Sequence, residues 1–335
     1  MKYHRYAVIG ANSFGGSAFI ANALGRGARV IGINRSIESN PIFTQYRNLV
    51  SLGEYRFIQA DINHDLDRIM RELDEFCPEV VVDFAGQGMV AESWQDPEQW
   101  YTTNIVSKVR LHNQLRQRKW LERYIRISTP EVYGSQDNLL QETWQYNPSS
   151  PYAVSHAAID MSLRAFHQQY GFPVVFSRFA NFYGPGQQLY RIVPRTIIYA
   201  LLGRKLQLHG GGTSVRAFIF GDDVADAVFR SAELGSIGDA YHFSSERFLT
   251  IRQVVETICQ RLGVKFSDIA EVGVDRPGKD QAYLMDASKA RNTLGWRESV
   301  TFEQGIDQTI RWVKASISEI QGLPLNYIHL SLIHI

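Results

Sequence analysis

The stretch Tyr6-Ala-Val-Ile-Gly10-Ala-Asn-Ser13-Phe-Gly15-Gly16 decides the fold. An apolar run that ends at glycine predicts a buried strand, and the spacing from Ser17 to Gly25 predicts that a helix follows directly. A turn of this kind lets backbone N–H groups and a helix N-terminus face a pyrophosphate. The alternative is a plain strand-to-helix turn, but the flanking elements favour a dinucleotide site. The predicted phosphate-binding residues are Gly10, Asn12, Ser13, Phe14, Gly15 and Gly16.

Strand and helix patterns alternate from this turn to about residue 180, which is typical of parallel βαβ units. Val80–Phe84 is almost purely β-branched, as expected of a strand covered on both faces. The other predicted strands are Arg29–Ile33, Arg56–Ala60, Tyr124–Ser128 and Val174–Phe179. The predicted helices are Asp65–Phe76, a long amphipathic one from about Tyr101 to Arg118, and Pro151–Tyr170. We predict an α/β fold with a Rossmann-type doubly wound parallel sheet.

After residue 180 glycine and proline cluster and the elements become shorter, which predicts a smaller α+β C-terminal substrate lobe. The predicted helices there are Val193–Leu202, Asp223–Glu233, Ile251–Leu262 and Phe302–Val313. We assign 1–180 to the dinucleotide domain, with 217–242 returning to it, and 181–216 and 243–320 to the lobe. The apolar last stretch, residues 321–335, is either a docking tail or a cloning or gene-model scar.

Composition excludes several classes of protein. The formal net charge of +1 argues against nucleic acid or an anionic membrane as a partner. Cys77 and Cys259 lie far apart, which predicts free thiols in a reducing compartment and no metal framework. No run of about 18 apolar residues predicts a membrane span, and the N-terminus leads straight into a strand without a signal peptide. We expect a cytoplasmic protein.

The end of the second strand bears on the choice of cofactor. An acidic residue there would bind the adenosine ribose and repel a 2′-phosphate, whereas this chain has Asn34, Arg35 and Ser36. The planar Arg35 side chain suits a phosphate, so NADP is favoured over NAD, although Arg35 could instead lie in solvent or stack on adenine. Asp61, followed by Ile62, could accept from the adenine amino group, or it could merely cap the next helix.

Two later segments carry residues that suit proton transfer. Ser128-Thr129-Pro130-Glu131-Val132-Tyr133-Gly134 follows a strand, and Tyr152 and His156 lie four residues apart at the start of a helix, hence on one face. A tyrosine can take a proton from a sugar hydroxyl while hydride leaves the carbon. Its usual pKa near 10 means that it needs positive charge nearby.

Together these residues resemble the extended short-chain dehydrogenase/reductase family, and within it the nucleotide-sugar 4,6-dehydratases. The dTDP-glucose enzymes are the most similar group and the GDP-mannose enzymes the second. The resemblance covers about residues 5 to 314. Beyond the glycine turn, its motifs are FAGQGMV at 84–90, Asn104-Ile-Val, STPEVYG at 128–134, PSSPYAVSHAA at 148–158, NFYGPG at 181–186, Arg216, DRPGKD at 275–280 and DASKARNTLGW at 286–296.

The resemblance implies a mechanism in which the cofactor is regenerated in every turnover. Thr129 and Tyr152 would bind the C4 oxygen of the sugar, and Tyr152 would remove its proton as hydride passes to the nicotinamide. Glu131 would then abstract the C5 proton, water would leave from C6, and the hydride would return to C6. The enzyme would be a lyase with a bound NAD(P), acting on a nucleoside-diphosphate sugar.

The resemblance also implies binding residues and an assembly. The additional cofactor residues would be Phe84, Ala85, Gly86, Gln87, Asn104, Tyr152 and His156. The substrate would contact Gln87, Thr129, Asn181, Arg191, Leu208, His209, Arg216, Arg276 and Lys279. The helices around 104–118 and 152–170 form the dimer interface in relatives, so we expect a homodimer. The base and the sugar remain open.

Two positions depart from the pattern of the family. Pro130 stands where the dTDP-glucose enzymes have an acid, and it has no proton to give, so elimination would run through Glu131 alone or with water. His156 stands where the family has lysine, and a neutral histidine would offer less positive charge. We expect a weaker enzyme, or a tyrosine that takes its positive field mainly from the nicotinamide ring.

Three other functions compete with this reading. A nucleotide-sugar 4-epimerase and a UDP-glucuronate decarboxylase belong to the same family, but an epimerase would not need Glu131. A non-catalytic NADP-binding scaffold or sensor is the alternative from another class, supported by the missing lysine.

Overall fold

The apolar segments read from the sequence form one parallel sheet in a computed structural model, which describes residues 1–135, 138–273 and 282–329. The sheet has seven strands in the order β3-β2-β1-β4-β5-β6-β10. These strands are β1 (Arg5–Ile9), β2 (Arg29–Asn34), β3 (Glu54–Gln59), β4 (Val80–Asp83), β5 (Arg123–Ser128), β6 (Val174–Phe179) and β10 (Ala240–Phe243). The chain crosses over between neighbouring β1 and β4, and ligands of open α/β sheets bind at such a switch point.

Helices cover both faces of this sheet. In β1, Tyr6 and Val8 face one apolar core, whereas Ala7 and Ile9 face the other, as the alternation of side chains along a strand requires. Helices of the dinucleotide domain are α1 (Phe14–Gly25), α2 (Leu66–Phe76), α3 (Pro97–Tyr101), α4 (Lys108–Leu115) and α5 (Pro151–Tyr170). The predicted fold class is confirmed.

The long helix expected from about Tyr101 to Arg118 is present but is not α-helical throughout, and it begins and ends earlier. A π-helical turn, Thr102–Ser107, joins α3 to α4, and α4 ends at Leu115. A period of 3.6 residues does not reveal a π turn, which inserts a residue into the turn and often marks a functional position.

The C-terminal lobe has two small sheets and helices around a third apolar core. Its remaining strands are β7 (Asn181–Tyr183), β8 (Leu206–His209), β9 (Val215–Phe220), β11 (Phe248–Thr250) and β12 (Ala270–Gly273). Its helices are α6 (Ile192–Leu201), α7 (Gly221–Leu234), α8 (Ile251–Leu262), α9 (Phe266–Ile269), α10 (Ser288–Thr293), α11 (Phe302–Ala315) and α12 (Ile317–Ile320). One sheet has the order β11-β9-β7, and β12 pairs with β8. After β9 the chain returns through α7 to β10 in the large sheet.

The tail beyond α12 packs back on the protein as far as it is described. Leu323 and Leu325 contact the core of the lobe. The ring of Tyr327 lies 5.2 Å from that of Tyr190, and the His329 ring stacks on Trp100 of α3 at 5.1 Å. The segment therefore runs from the lobe to the dinucleotide domain.

No helix in the described ranges is long and apolar enough to cross a membrane. Cys77 and Cys259 are free thiols, as predicted.

Candidate active site

The glycine turn between β1 and α1 packs closely on the loop after β4. Gly10 has φ +88°, and a Cβ placed on it would lie 2.6 Å from the backbone nitrogen of Ala85. A Cβ on Gly16 would lie 2.5 Å from the carbonyl oxygen of Gly10. Side chains therefore do not fit in this turn, and the backbone reaches the site uncovered.

Ser13 is the N-cap of α1. Its hydroxyl donates to the carbonyl oxygen of Gly10 at 2.7 Å and accepts from the Gly16 N–H at 3.0 Å. The hydroxyl proton is therefore used within the turn. The expected hydrogen bond from Ser13 to a phosphate stays a prediction, and the structure gives this serine a capping role in addition.

A cavity of about 130 Å³ lies at the carboxyl ends of the strands on one side of the turn. It is lined by predicted cofactor residues, namely Gly10, Ser13, Asn34, Arg35, Asp61, Ile62, Phe84, Ala85, Gly86 and Gln87. Asp61 is 3% exposed, and its Oδ1 accepts from the Asn63 N–H at 2.8 Å. Its buried Oδ2 has no hydrogen-bond partner within the described chain. A buried acceptor in need of a donor fits an adenine amino group.

Four predicted cofactor residues line neither this cavity nor the larger one described next. The Asn12 side chain donates to the Ile37 carbonyl and accepts from the Ser39 N–H, so it holds the loop after β2. Asn104 donates to the Gln87 carbonyl at 3.1 Å and accepts from the Gln87 N–H at 2.8 Å, so it fixes the loop after β4. Gly16 and Ser36 are the other two. The geometry favours indirect roles for Asn12 and Asn104.

A second cleft, of about 1060 Å³, opens from the same turn toward the lobe. The predicted residues that line it are Ser13, Phe14, Gly15, Phe84, Ala85, Gly86, Gln87, Thr129, Glu131, Tyr152, His156, Asn181, Arg191, Leu208, His209 and Arg216. Arg276 and Lys279 lie outside the described residues. Ser13 and residues 84–87 line both cavities, so one dinucleotide can pass from one to the other.

Thr129 and Glu131 follow β5 at the wall of the cleft. The Thr129 hydroxyl donates to Glu131 Oε2 at 3.0 Å, and it accepts from the Glu131 N–H at 3.3 Å. Pro130 begins the short 3₁₀ turn Pro130–Tyr133. This turn brings the Glu131 carboxylate back to the Thr129 hydroxyl. The carboxylate is thus held beside the Thr129 hydroxyl in the same cleft as Tyr152.

Tyr152 enters the cleft from the first turn of α5. Ser150 caps this helix, with its side chain accepting from the Ala153 N–H at 3.2 Å, and Pro151 is the first helical residue. Burial raises the pKa of Tyr152 well above its usual value, and the charge of Glu131 adds to the rise. A hydrogen bond with Thr129 and the charges of Arg191 and Arg126 oppose it.

His156 lies one turn further along α5, with its ring centroid 4.5 Å from that of Tyr152. Its Nδ1 is 3.0 Å from Nη2 of Arg126. Burial, followed by the charges of Arg126 and Lys108, lowers the pKa of His156 well below its usual value. The histidine is therefore neutral at pH 7, as the sequence led us to expect.

Sequence reasoning missed the charged residues behind His156. Arg126 lies at a central, buried position of β5, and a charge at such a position was the available signal. Reasoning from motifs also missed cleft residues outside them, including Gln187, Tyr190, Tyr283 and Asn326. Asn326 belongs to residues 321–335, the tail in which the sequence predicted no site residue.

Comparison with known proteins identifies the family. The family model described as GDP-mannose 4,6 dehydratase matches residues 8–309. A dTDP-glucose 4,6-dehydratase from Xanthomonas campestris pv. campestris is 33% identical over an alignment of 337 positions that covers 95% of each chain. One from Escherichia coli is 32% identical and covers 89% of this chain and 91% of its own.

Solved structures agree. A dTDP-glucose 4,6-dehydratase from Streptomyces venezuelae, determined with NAD and TYD bound, superimposes with a TM-score of 0.87 at 29% identity, covering 94% of this chain and 98% of that one. A UDP-glucose 4-epimerase from Thermotoga maritima, with UDP-glucose, gives 0.84 at 25%, covering 93% and 99%. The resemblance drawn from the motifs is confirmed, and the chain belongs to the GDP-mannose 4,6-dehydratase family of extended short-chain dehydrogenases/reductases.

Proposed function

We propose that this chain is an NAD(P)-dependent nucleotide-sugar 4,6-dehydratase that removes water across C5 and C6 of a nucleoside-diphosphate hexose. Membership of the family confirms the predicted class of enzyme. The observation that carries the proposal is that Tyr152 and the Thr129–Glu131 pair line the cleft onto which the glycine turn opens.

The residues present fit a dinucleotide. The glycine turn and the start of α1 would hold the pyrophosphate, and Asp61 would accept from the adenine amino group. His156 and Gln87, both at the cleft, would contact the nicotinamide half. When bound, the nicotinamide supplies the chemistry of hydride removal from C4 and hydride return at C6.

The protein moves the protons. Tyr152 takes the proton of the C4 hydroxyl, and the Thr129 hydroxyl turns from Glu131 to donate to the oxygen that becomes a carbonyl. Once C4 is a ketone, the C5 hydrogen is acidic, and the Glu131 carboxylate takes it. Pro130 offers no proton, so Glu131 returns the captured proton, directly or through water, to the departing C6 hydroxyl. When the hydride returns to C6, C5 takes up a proton from solvent.

The nucleotide half of the substrate would lie in the part of the cleft formed by the lobe. Arg191 and Arg216 line that part, and a guanidinium can pair with two phosphate oxygens at once. Leu208 and His209 lie beside them and would contact the base.

We further propose that NADP is preferred over NAD. Asn34 and Arg35 line the smaller cavity at the end of β2, where NAD-selective proteins have an acid. A guanidinium favours a 2′-phosphate by charge and by shape. The test is a comparison of the dissociation constants of NADP and NAD, and equal or tighter binding of NAD would contradict the proposal.

We also propose a homodimer in the cytoplasm. Val106, Val154, Met161 and Tyr170 are exposed large apolar side chains on the segments expected to form the interface. The free thiols of Cys77 and Cys259 suit a reducing compartment. Sedimentation of the pure protein at micromolar concentration should give twice the mass of the chain.

The main test is incubation with dTDP-, UDP-, GDP- and CDP-hexoses. A 4-keto-6-deoxy product, detected by its absorbance in alkali and by the loss of 18 mass units, is expected with at least one of them. Glu131→Gln should lose this product because the amide cannot take the C5 proton, while cofactor affinity is unchanged. A C4 epimer formed without loss of water would show an epimerase, and no turnover with any hexose would favour the scaffold.

A further inference from the structure

Tyr152 needs positive charge nearby, and the structure shows where a fixed supply lies. Behind the cleft, between β4, α4, β5, α5 and β6, five charged residues are each at most 1% exposed. This buried charge cluster consists of Asp83, Lys108, Arg126, Asp160 and Arg178. It holds three cations and two carboxylates, so it carries one excess positive charge.

Each carboxylate in the buried charge cluster is shared. Asp83 Oδ2 lies 2.7 Å from Lys108 Nζ and 3.8 Å from Arg126 Nη1. Asp160 lies 3.0 Å from Arg126 Nε and 3.4 Å from Arg178 Nη2. Water does not screen these charges, so the excess acts over several ångströms.

Arg126 is the member that reaches the cleft residues. Its Nη2 lies 3.0 Å from His156 Nδ1. A guanidinium has only donors, so Nδ1 must accept, and the proton of the neutral ring must sit on Nε2. Arg126 therefore sets the tautomer of His156, and its charge adds to burial in keeping the ring neutral.

His156 lies between Arg126 and Tyr152 and contacts both. Its ring lies against the Tyr152 ring, and both residues line the cleft. A second cation, Arg191, also faces Tyr152, but it lies at the wall where a substrate diphosphate would neutralise it. Glu131 is the negative charge on the same tyrosine. The buried position of Arg126 keeps its charge constant through turnover.

We propose that Arg126 is a positioning residue that supplies the positive field for Tyr152 and fixes His156 as the Nε2–H tautomer facing the cleft. The inference rests on the proposed role of Tyr152 as the base. It adds a fixed source of positive charge to the nicotinamide ring, from which we expected this field to come.

The arrangement of Arg126 and His156 can be tested without activity. In protein with ¹⁵N-labelled histidine, the ring of His156, identified by its loss in His156→Gln, should show a protonated Nε2 and a bare Nδ1. It should stay neutral at pH 6.5, where an ordinary histidine is half protonated, and Arg126→Gln should raise its apparent pKa. A cationic ring near pH 6.5, or a proton on Nδ1, would overturn the proposal.

The field at Tyr152 can be tested by the pH dependence of kcat/KM for dehydration. Arg126→Gln can still donate to His156 but lacks the charge, so the acidic limb should move up by about one pH unit, with a tenfold loss below it and little change in KM. Arg126→Lys keeps the charge and should keep the limb. If Arg126 only supports the fold, Arg126→Gln lowers the thermal midpoint and leaves the limb in place.

A charge swap guards against a variant that fails to fold. Arg126→Gln combined with His156→Lys preserves the total charge behind the cleft and returns a cation to the side of Tyr152, so it should recover most of the activity lost in Arg126→Gln. His156→Lys alone places two cations in contact and should be less stable than the swap. A swap no better than the product of the two single changes would overturn the proposal. If the unaltered protein dehydrates no hexose, the proposed function fails, whereas the ¹⁵N result still decides the tautomer.

Discussion

Two regions of the proposed active site are built in opposite ways. The first is the turn proposed to hold the nucleotide, here called the cradle, and the second is the group of side chains around and behind Tyr152, here called the catalytic corner. The cradle is made mostly of backbone from one turn, Gly10–Gly16, and tolerates no Cβ at Gly10. The catalytic corner is made of side chains from β4, α4, β5, α5 and β6, which meet behind Tyr152. The cradle depends on how closely other atoms can approach its backbone, whereas the corner depends on the net charge of its buried side chains. A substitution therefore affects each region through a different physical quantity.

The largest effect is expected in the catalytic corner, for Tyr152→Phe. The phenyl ring keeps the packing on His156 and cannot take a proton, so kcat should fall by about 10²–10⁴-fold with unchanged cofactor affinity. Tyr170→Phe, at the exposed end of the same helix, is the matched control and should behave as the parent. If the kcat of Tyr152→Phe lies within threefold of the parent value, Tyr152 is not the base.

The second largest effect is expected in the cradle, for Gly10→Ala. An alanine at φ +88° is strained, and its Cβ would collide with the Ala85 backbone, so cofactor affinity should fall at least about tenfold. Titration of cofactor into the folded variant measures this. Gly25→Ala, at the last residue of α1, meets no atom within 4 Å and should bind cofactor normally and be slightly more stable. Equal binding by both variants would contradict the close approach.

Arg35→Ser tests whether a side chain adds selectivity to the backbone cradle. Loss of a charge-assisted contact should weaken NADP binding by about tenfold and leave NAD binding unchanged. Arg29→Ser, at the other end of β2 and paired with Glu54, is the matched control. A loss of affinity for both cofactors alike would show that Arg35 shapes the loop and does not read the phosphate.

The smallest effect per residue concerns pH and the histidines buried in the corner or on the neighbouring β10. Burial lowers the pKa of His112 and of His242 to about 3, and His156 is lowered as well. The unfolded chain takes up protons near pH 6.5 and the folded chain does not, so stability must fall as pH falls. Between pH 7.5 and 5.5 we expect a loss of about 1 kcal/mol per histidine in the free energy of unfolding by urea.

His112→Leu isolates one histidine in that experiment. The variant should show about one third less dependence on pH than the parent. Identical free energies of unfolding at pH 7.5 and 5.5 in the parent would mean that these rings do titrate in the folded state.

The same contrast explains what could be predicted from the sequence. The strands, the glycine turn and the Thr129, Glu131 and Tyr152 motifs are local in the chain, so spacing and motif sufficed. Contacts between Arg126 on β5 and His156 on α5 depend on the packing of distant elements, and no local pattern encodes them. For the same reason the inward turn of Asn104 toward Gln87 and the return of the tail to Trp100 could not be predicted.

The central claim is that one cleft oxidises C4, removes the C5 proton and reduces C6. The most direct test is to supply a nucleoside-diphosphate hexose carrying deuterium at C4, in ordinary water and in heavy water, and to locate the label in the product. We expect the C4 deuterium to appear at C6 of the same molecule. We expect C5 to gain one deuterium only in heavy water. A label that returns to C4, with C5 unexchanged and no water lost, would contradict the central claim.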